Sequence, residues 1–164
     1  LLSLNAKVVL QDFKKTKILF LDDFFISYRK TKLKKEQFIH SIRIPLLKDN
    51  TFKAYKVSKR FDDDISSVCV AFNLEIVRNK VRSVRIAYGG MAAIPKRAIY
   101  CEKILSNSLV TDEIIDKAKK ALEKDFKPIS DMRASRLYRM EVAKNLLEKF
   151  CAEIKQKKLI GVYF

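Results

Sequence analysis

Two neighbouring stretches, "SVCVAFNLEIV" and "VRSVRIAYGG", constrain this chain more than anything else in it. In the first, Val68, Val70, Phe72, Leu74 and Ile76 recur at every second position. In the second, Val84, Ile86 and Tyr88 do the same, with Ser83, Arg85 and Ala87 between them. Side chains alternate faces along a strand, so each stretch predicts a strand with one buried side. Only "RNKV" separates them, which is short enough for a tight antiparallel hairpin, with Asn79 as the residue that tolerates a positive φ.

Shorter β-like runs precede this hairpin. "AKVVL" and "KILFL", joined by "QDFKKT", predict an opening hairpin. Phe38 to Ile44 is a further β-like run, closed by Pro45, which cannot donate to a continuing ladder. "TFKAYKVS" alternates again.

Everything after the hairpin reads as helix. "PKRAIYCEKILSNS" starts with Pro95 in a first helical turn and breaks at Ser-Asn-Ser. "TDEIIDKAKKALEKDF" has Thr111 as N-cap, acids in its first turn, and Ile114, Ala118, Leu122 and Phe126 at helical spacing. The last helix spans roughly Ser135 to Lys157, with Leu137, Met140, Ala143, Leu147, Phe150 and Ile154 as its core stripe. Ser130 or Asp131 is placed to cap it, and Arg133 to pair with a carboxylate or a backbone group. Strands first and helices second predict an α+β fold, a small antiparallel sheet of three or four strands packed against about three helices.

Composition narrows the function classes. Thirty-five Lys plus Arg against nineteen Asp plus Glu leave a net charge of +16. That surplus suits nucleic acid, an anionic cofactor or an acidic partner. It is spread along the chain, however, without an aromatic–basic RNA-binding signature or a helix-turn-helix pattern. A basic stand-alone module for nucleic acid or an acidic partner is therefore the alternative reading. No apolar run spans a bilayer, and the opening residues lack the basic leader and apolar core of a signal peptide. Cys69, Cys101 and Cys151 show no metal-ligand spacing and read as reduced, partly buried thiols of a cytosolic protein. No catalytic or metal constellation declares itself. His40, the sole histidine, reads as structural, and Gly89-Gly90 as a turn or a tight backbone contact.

The segments "FFISYRKTKL", "SIRIP", "AYKVSKRFDDDISSVCVAF", "VRIAYGGMAAIPKRA" and "PISDMRASRLYR", in this order, resemble the FAD-binding subunit of bacterial xanthine dehydrogenases. More broadly they resemble the C-terminal half of the flavoprotein domain of the molybdenum hydroxylases, the CO dehydrogenase flavoprotein C-terminal domain among them. The resemblance implies that residues 1–22 are closing strands of a preceding FAD-binding subdomain and residues 23–164 the flavoprotein C-terminal domain. It implies an oxidoreductase that hydroxylates a purine at molybdopterin, passes electrons through 2Fe-2S iron–sulfur clusters to FAD, and reduces NAD. The implied partners are N-terminal FAD-binding and iron–sulfur domains and a molybdenum-binding large subunit.

Residue roles follow from the same resemblance. Lys56 matches a lysine approaching the flavin edge, and Ile39 a position whose backbone touches the isoalloxazine ring. Val57 to Asp64 match the loop where nicotinamide approaches, with Arg60 and Asp63 at charged positions that set the local potential. Cations stabilise the anionic reduced flavin and carboxylates oppose it. The family's glycine-rich pyrophosphate segments belong to the N-terminal half. With three glycines, this chain alone is expected to bind FAD weakly or not at all.

Overall fold

The structure is a computed structural model that describes residues 1–47, 50–60, 65–78 and 80–156. Strands β1 (Lys7–Gln11) and β2 (Thr16–Phe20) form the expected opening hairpin. Asp12 organises its turn by accepting from the N–H groups of Lys14 and Lys15. A 3-10 turn (Leu21–Asp23), β3 (Phe25–Ser27) and β4 (Lys30–Thr31) follow. Then β5 (Phe38–Arg43) returns to pair with β1 on the side away from β2. Leu2, Val8, Leu10, Leu21 and Phe24 form the small core of this N-terminal module.

The second sheet has four strands in the order β6 (Asn50–Val57), β7 (Val68–Val77), β8 (Lys80–Gly89) and β9 (Lys96–Arg97), all antiparallel. The period-two reading of its hairpin holds. Val68, Val70, Phe72 and Leu74 on β7, with Ile86 and Tyr88 on β8, are at most 1% exposed. Val84 and Ile76 are half-buried, and the register shifts between Glu75 and Ile76. At the connection Arg78 has a positive φ, 50°. Asn79, to which the sequence assigned that role, lies outside the described residues.

Helices α1 (Ile99–Leu105), α2 (Asp112–Asp125) and α3 (Arg136–Gln156) cover one face of this sheet. Phe72 stacks on Phe150 of α3, with ring centroids 4.4 Å apart and planes 9° from parallel. Burying such a ring contributes about 2–3 kcal/mol. The Tyr88 hydroxyl donates to the Ala143 carbonyl, and the Tyr55 hydroxyl to Glu153, so both rings bury without an unpaired polar end. This is the α+β arrangement the sequence predicts.

Three local expectations change. The first helix begins at Ile99 rather than Pro95, because Lys96 and Arg97 pair with Tyr88 and Ala87 as the edge strand β9. Helix α1 has no side-chain cap of its own at Ala98; the buried Asp125 carboxylate, at the end of α2, accepts from the N–H groups of Tyr100 and Cys101. In α2, Ile115 takes the inner position and Ile114 only flanks the core, whereas Ala118, Leu122 and Phe126 are buried as expected. In α3, Met140, Ala143, Leu147, Phe150 and Ile154 do meet the core, but Leu137 is 75% exposed. The position that the helical period carries inward from Ala143 is Arg139.

The other face of the large sheet receives the N-terminal module. Asn73 donates to the Ser3 carbonyl, and Arg85 to the Leu2 carbonyl and to Asp22. Arg97 reaches Asp22 on one side and the buried Glu102 on the other. These charged groups extend from the small module to α1, and the short apolar contact at Ala87 completes the seam.

Candidate functional site

The open ends of β7 and β8 and the segment entering α3 enclose a cavity of about 480 Å³. Its apolar wall comes from Ile65, Ala92, Ala93 and Ile129, with Tyr28 reaching in from the tip of the β3–β4 hairpin. Lys127, Asp131, Arg133 and Arg139 supply its charged groups. A second cavity of about 540 Å³ shares Ile65 and Arg133 with the first and adds Lys59, Arg60 and Met132. The two cavities therefore adjoin, the second lined by residues just after β6, and besides the shared Arg133 four of their five charged groups are cationic: Lys59, Arg60, Lys127 and Arg139 against Asp131.

Backbone geometry makes the floor of the first cavity. Gly90 has φ +80°, and a Cβ there would collide with the carbonyl oxygen of Ser67. Of the glycine pair, Gly90 thus makes a tight backbone contact, one of the two roles expected of the pair, whereas Gly89 does not. Arg139, 3% exposed, fills the space behind it. Its Nη1 donates to the carbonyls of Ser67 (2.5 Å) and Gly90 (2.9 Å), and its Nη2 to Asp131 Oδ1 (2.6 Å).

The same Asp131 oxygen accepts from the N–H groups of Arg133 and Ala134. Those backbone bonds, followed by the Arg139 guanidinium, hold the Asp131 carboxyl below its ordinary range. Asp131 thus braces the turn before α3. The helix itself is capped by Ser130, whose Oγ accepts from Arg136 N, and by Ser135, which accepts from Tyr138 N. Arg133 lies 3.8 Å from Asp131, the carboxylate pairing expected of it.

Of the four residues expected at the site, the three described ones occupy different places. Arg60 lines the second cavity. Lys56 stands exposed on β6, opposite Cys69, on the sheet face away from the helices. Burial raises the Cys69 thiol, and Lys56 opposes that shift. Ile39 is 47% exposed on β5, opposite Leu10 in the N-terminal module. Neither Lys56 nor Ile39 lines either cavity. Asp63 lies outside the described residues. His40 is exposed on β5 and bonds Ser41 through its ring nitrogen. Sequence reasoning missed Arg139 and Tyr28. For Arg139 a signal existed, a charged residue in phase with the apolar stripe of α3; for Tyr28 none did.

Among the described residues no group of His, Cys, Asp and Glu could hold a metal ion, and no helix is long and apolar enough to cross a membrane. The cysteines are free, with Cys69 half-buried and Cys101 and Cys151 buried.

Comparison with known proteins adds an independent line. Residues 1–47 match the family described as the FAD binding domain in molybdopterin dehydrogenase. The glyceraldehyde dehydrogenase medium chain of Sulfolobus acidocaldarius is 29% identical over 154 residues, covering 94% of this chain and 54% of that protein. Xanthine dehydrogenase of Emericella nidulans is 36% identical over 126 residues, covering 74% of this chain and 9% of that protein. This chain thus spans about half of the first relative and about a tenth of the second.

In fold, the reconstituted CO dehydrogenase from Oligotropha carboxidovorans superposes with a TM-score of 0.84 at 23% identity, over 90% of this chain and 52% of that one. Quinoline 2-oxidoreductase from Pseudomonas putida 86 superposes with a TM-score of 0.81 at 19% identity, over 94% and 53%. Residues 53–154, the large sheet and nearly all of its helical cover, match the CO dehydrogenase flavoprotein C-terminal domain, and the chain belongs to that family.

Proposed function

We propose that this chain is part of the FAD-containing subunit of a xanthine dehydrogenase, covering the flavin at the place where electrons from purine hydroxylation pass to NAD. The observation that carries the reading is the pair of cation-rimmed, partly apolar cavities at the end of β6, beside the loop expected to meet nicotinamide. Apolar walls exclude water from a planar ring, while Lys59, Arg60 and Lys127 suit the negative charge of a dinucleotide. Bound FAD would supply the two-electron chemistry; the protein's task here is position and potential.

The residues described fit one side of such a cofactor rather than the whole of it. Gly90, the glycine with positive φ among the described residues, is occupied by its contact with Ser67, so that close approach is not available to a pyrophosphate. We assign Ile39 to a backbone contact with the flavin ring and Lys56 to neutralising charge at its edge, both outside the two cavities, and Arg60 and Asp63 to setting the local potential. The division into a closing piece of the FAD-binding subdomain (residues 1–22) and a C-terminal domain (residues 23–164) belongs to the same proposal. The match over residues 1–47 supports the first piece, and the pairing of β5 with β1 carries it further along the chain. Molybdopterin and 2Fe-2S clusters are assigned to a large subunit and to iron–sulfur domains that this chain would join.

Two measurements test this. Titration of the 164-residue chain with FAD, followed by flavin fluorescence, is expected to give weak binding or none. Sub-micromolar stoichiometric binding would count against the covering role. The complete flavoprotein subunit, combined with its molybdenum and iron–sulfur partners, is expected to reduce NAD with xanthine. Activity with an aldehyde or another heterocycle but not with xanthine would reassign the substrate, and turnover with oxygen alone would remove NAD.

A further inference from the structure

A buried arginine is costly unless its donors are engaged, and Arg139, beside the cavity of about 480 Å³, engages both terminal nitrogens while its buried Nε meets no partner among the described residues. Ser67 immediately precedes β7 and Gly90 immediately follows β8. The backbone ladder between those strands ends at Cys69 opposite Gly89. Beyond that rung the Arg139 guanidinium takes over, holding the Ser67 and Gly90 carbonyls through one nitrogen. Its other terminal nitrogen holds Asp131, whose carboxylate fixes the Arg133–Ala134 turn. Ser67 ties the same two parts together a second time, donating its hydroxyl to the Arg133 carbonyl.

One planar group therefore joins both walls of the cavity. Ser66, Gly89 and Gly90 stand on the β side, and Asp131 and Arg133 on the helix side. We propose that Arg139 is a positioning residue that sets the separation of these walls, and through it the affinity for the electron-accepting dinucleotide. This rests on the functional reading above, that the cavities beside β6 receive the acceptor. Arg139 acts through Ser67, Gly90 and Asp131, and the proposal assigns it no proton or electron. A lysine can keep the charge, but a point ammonium on a flexible stem does not reproduce a rigid fork bridging two carbonyls and a carboxylate.

The test compares Arg139→Met and Arg139→Lys in the assembled flavoenzyme with NAD as the probe, measuring Tm, kcat and KM, with amide hydrogen exchange as a readout independent of turnover. Arg139→Met is expected to lower Tm. Arg139→Lys is expected to restore most of that loss while KM for NAD stays raised about tenfold, with kcat at saturating NAD changed less than twofold. Exchange should quicken at residues 66–68 and 89–91 in Arg139→Lys and not in α2. If KM follows Tm, with the lysine variant restoring both, or if neither variant moves KM, Arg139 is only a structural brace and the proposal falls. If the unsubstituted enzyme shows no saturable dependence on NAD, the functional reading falls first and the proposal with it, an outcome distinct from an unchanged KM in a working enzyme.

Discussion

Gly90 lies against Ser67 so closely that their backbones leave no room for a side chain between them. A Cβ on Gly90 would collide with the Ser67 carbonyl oxygen, and φ of +80° disfavours any L residue there. Its neighbour is different: a Cβ on Gly89 would meet the Cys69 Cβ at 3.7 Å, an ordinary contact. Gly90→Ala should therefore destabilise the fold by about 2–4 kcal/mol, combining backbone strain with a clash that only backbone movement relieves. Gly89→Ala should change stability by about 0.5–1 kcal/mol at most. Denaturant melts of the two variants side by side check this, and equal losses would refute the close-approach argument.

The phase of α3 makes a second contrast. Leu147 is fully buried and Leu137 is 75% exposed, although both sit on the apolar spacing of the sequence. Leu147→Ala should cost about 2–5 kcal/mol, a transfer loss plus an unfilled cavity. Leu137→Ala should stay within about 0.5 kcal/mol. Thermal unfolding of the pair measures the difference directly.

Asp131 predicts a pH dependence with a definite sign. Its carboxyl titrates below the ordinary aspartate value of 3.8, so the folded state binds that proton more weakly than the unfolded chain does. The resulting stability is complete above pH 3.8 and is lost as pH falls through the lower, folded-state value. Asp131→Asn should thus melt below the parent near neutral pH, with the two curves converging in acid below that range. A gap that persisted or widened in acid would point to a neutral contact instead.

Thiol reactivity should separate the three cysteines. Burial pushes the Cys151 thiol up to about 12 and holds Cys101 well above its ordinary range. Cys69 is raised by burial too, but Lys56 opposes the shift and the residue is only half-buried. Since the thiolate reacts, a small disulfide reagent at mildly alkaline pH should modify Cys69 first and faster as pH rises. Cys101 and Cys151 should react only on unfolding. Mass spectrometry of partly labelled protein identifies the order.

Much of this architecture is local in origin. The β7–β8 hairpin follows from apolar residues at every second position, and α2 from Thr111, which caps it as expected, and from its helical spacing. These patterns act over a few residues, so they can be read from the chain itself. The order of strands first and helices second carried the α+β class, and the ordered family motifs the kinship. Periodicity could not say that Lys96 and Arg97 would extend a sheet, because that depends on the free edge of β8.

Nor could it say that Asp125 would cap a helix beginning more than twenty residues before it. The site is the clearest case. Asp131 read as a candidate helix cap, Gly90 as part of a turn or a tight backbone contact, and Arg139 was given no role of its own. Folding brings the ends of two strands against the first turn of the last helix, and three carbonyl and carboxylate groups converge on one guanidinium. Such a cluster forms from partners distant in the chain, each ordinary where it stands. Local pattern therefore specified the strands and helices, while the burial of Arg139 arose from packing between them.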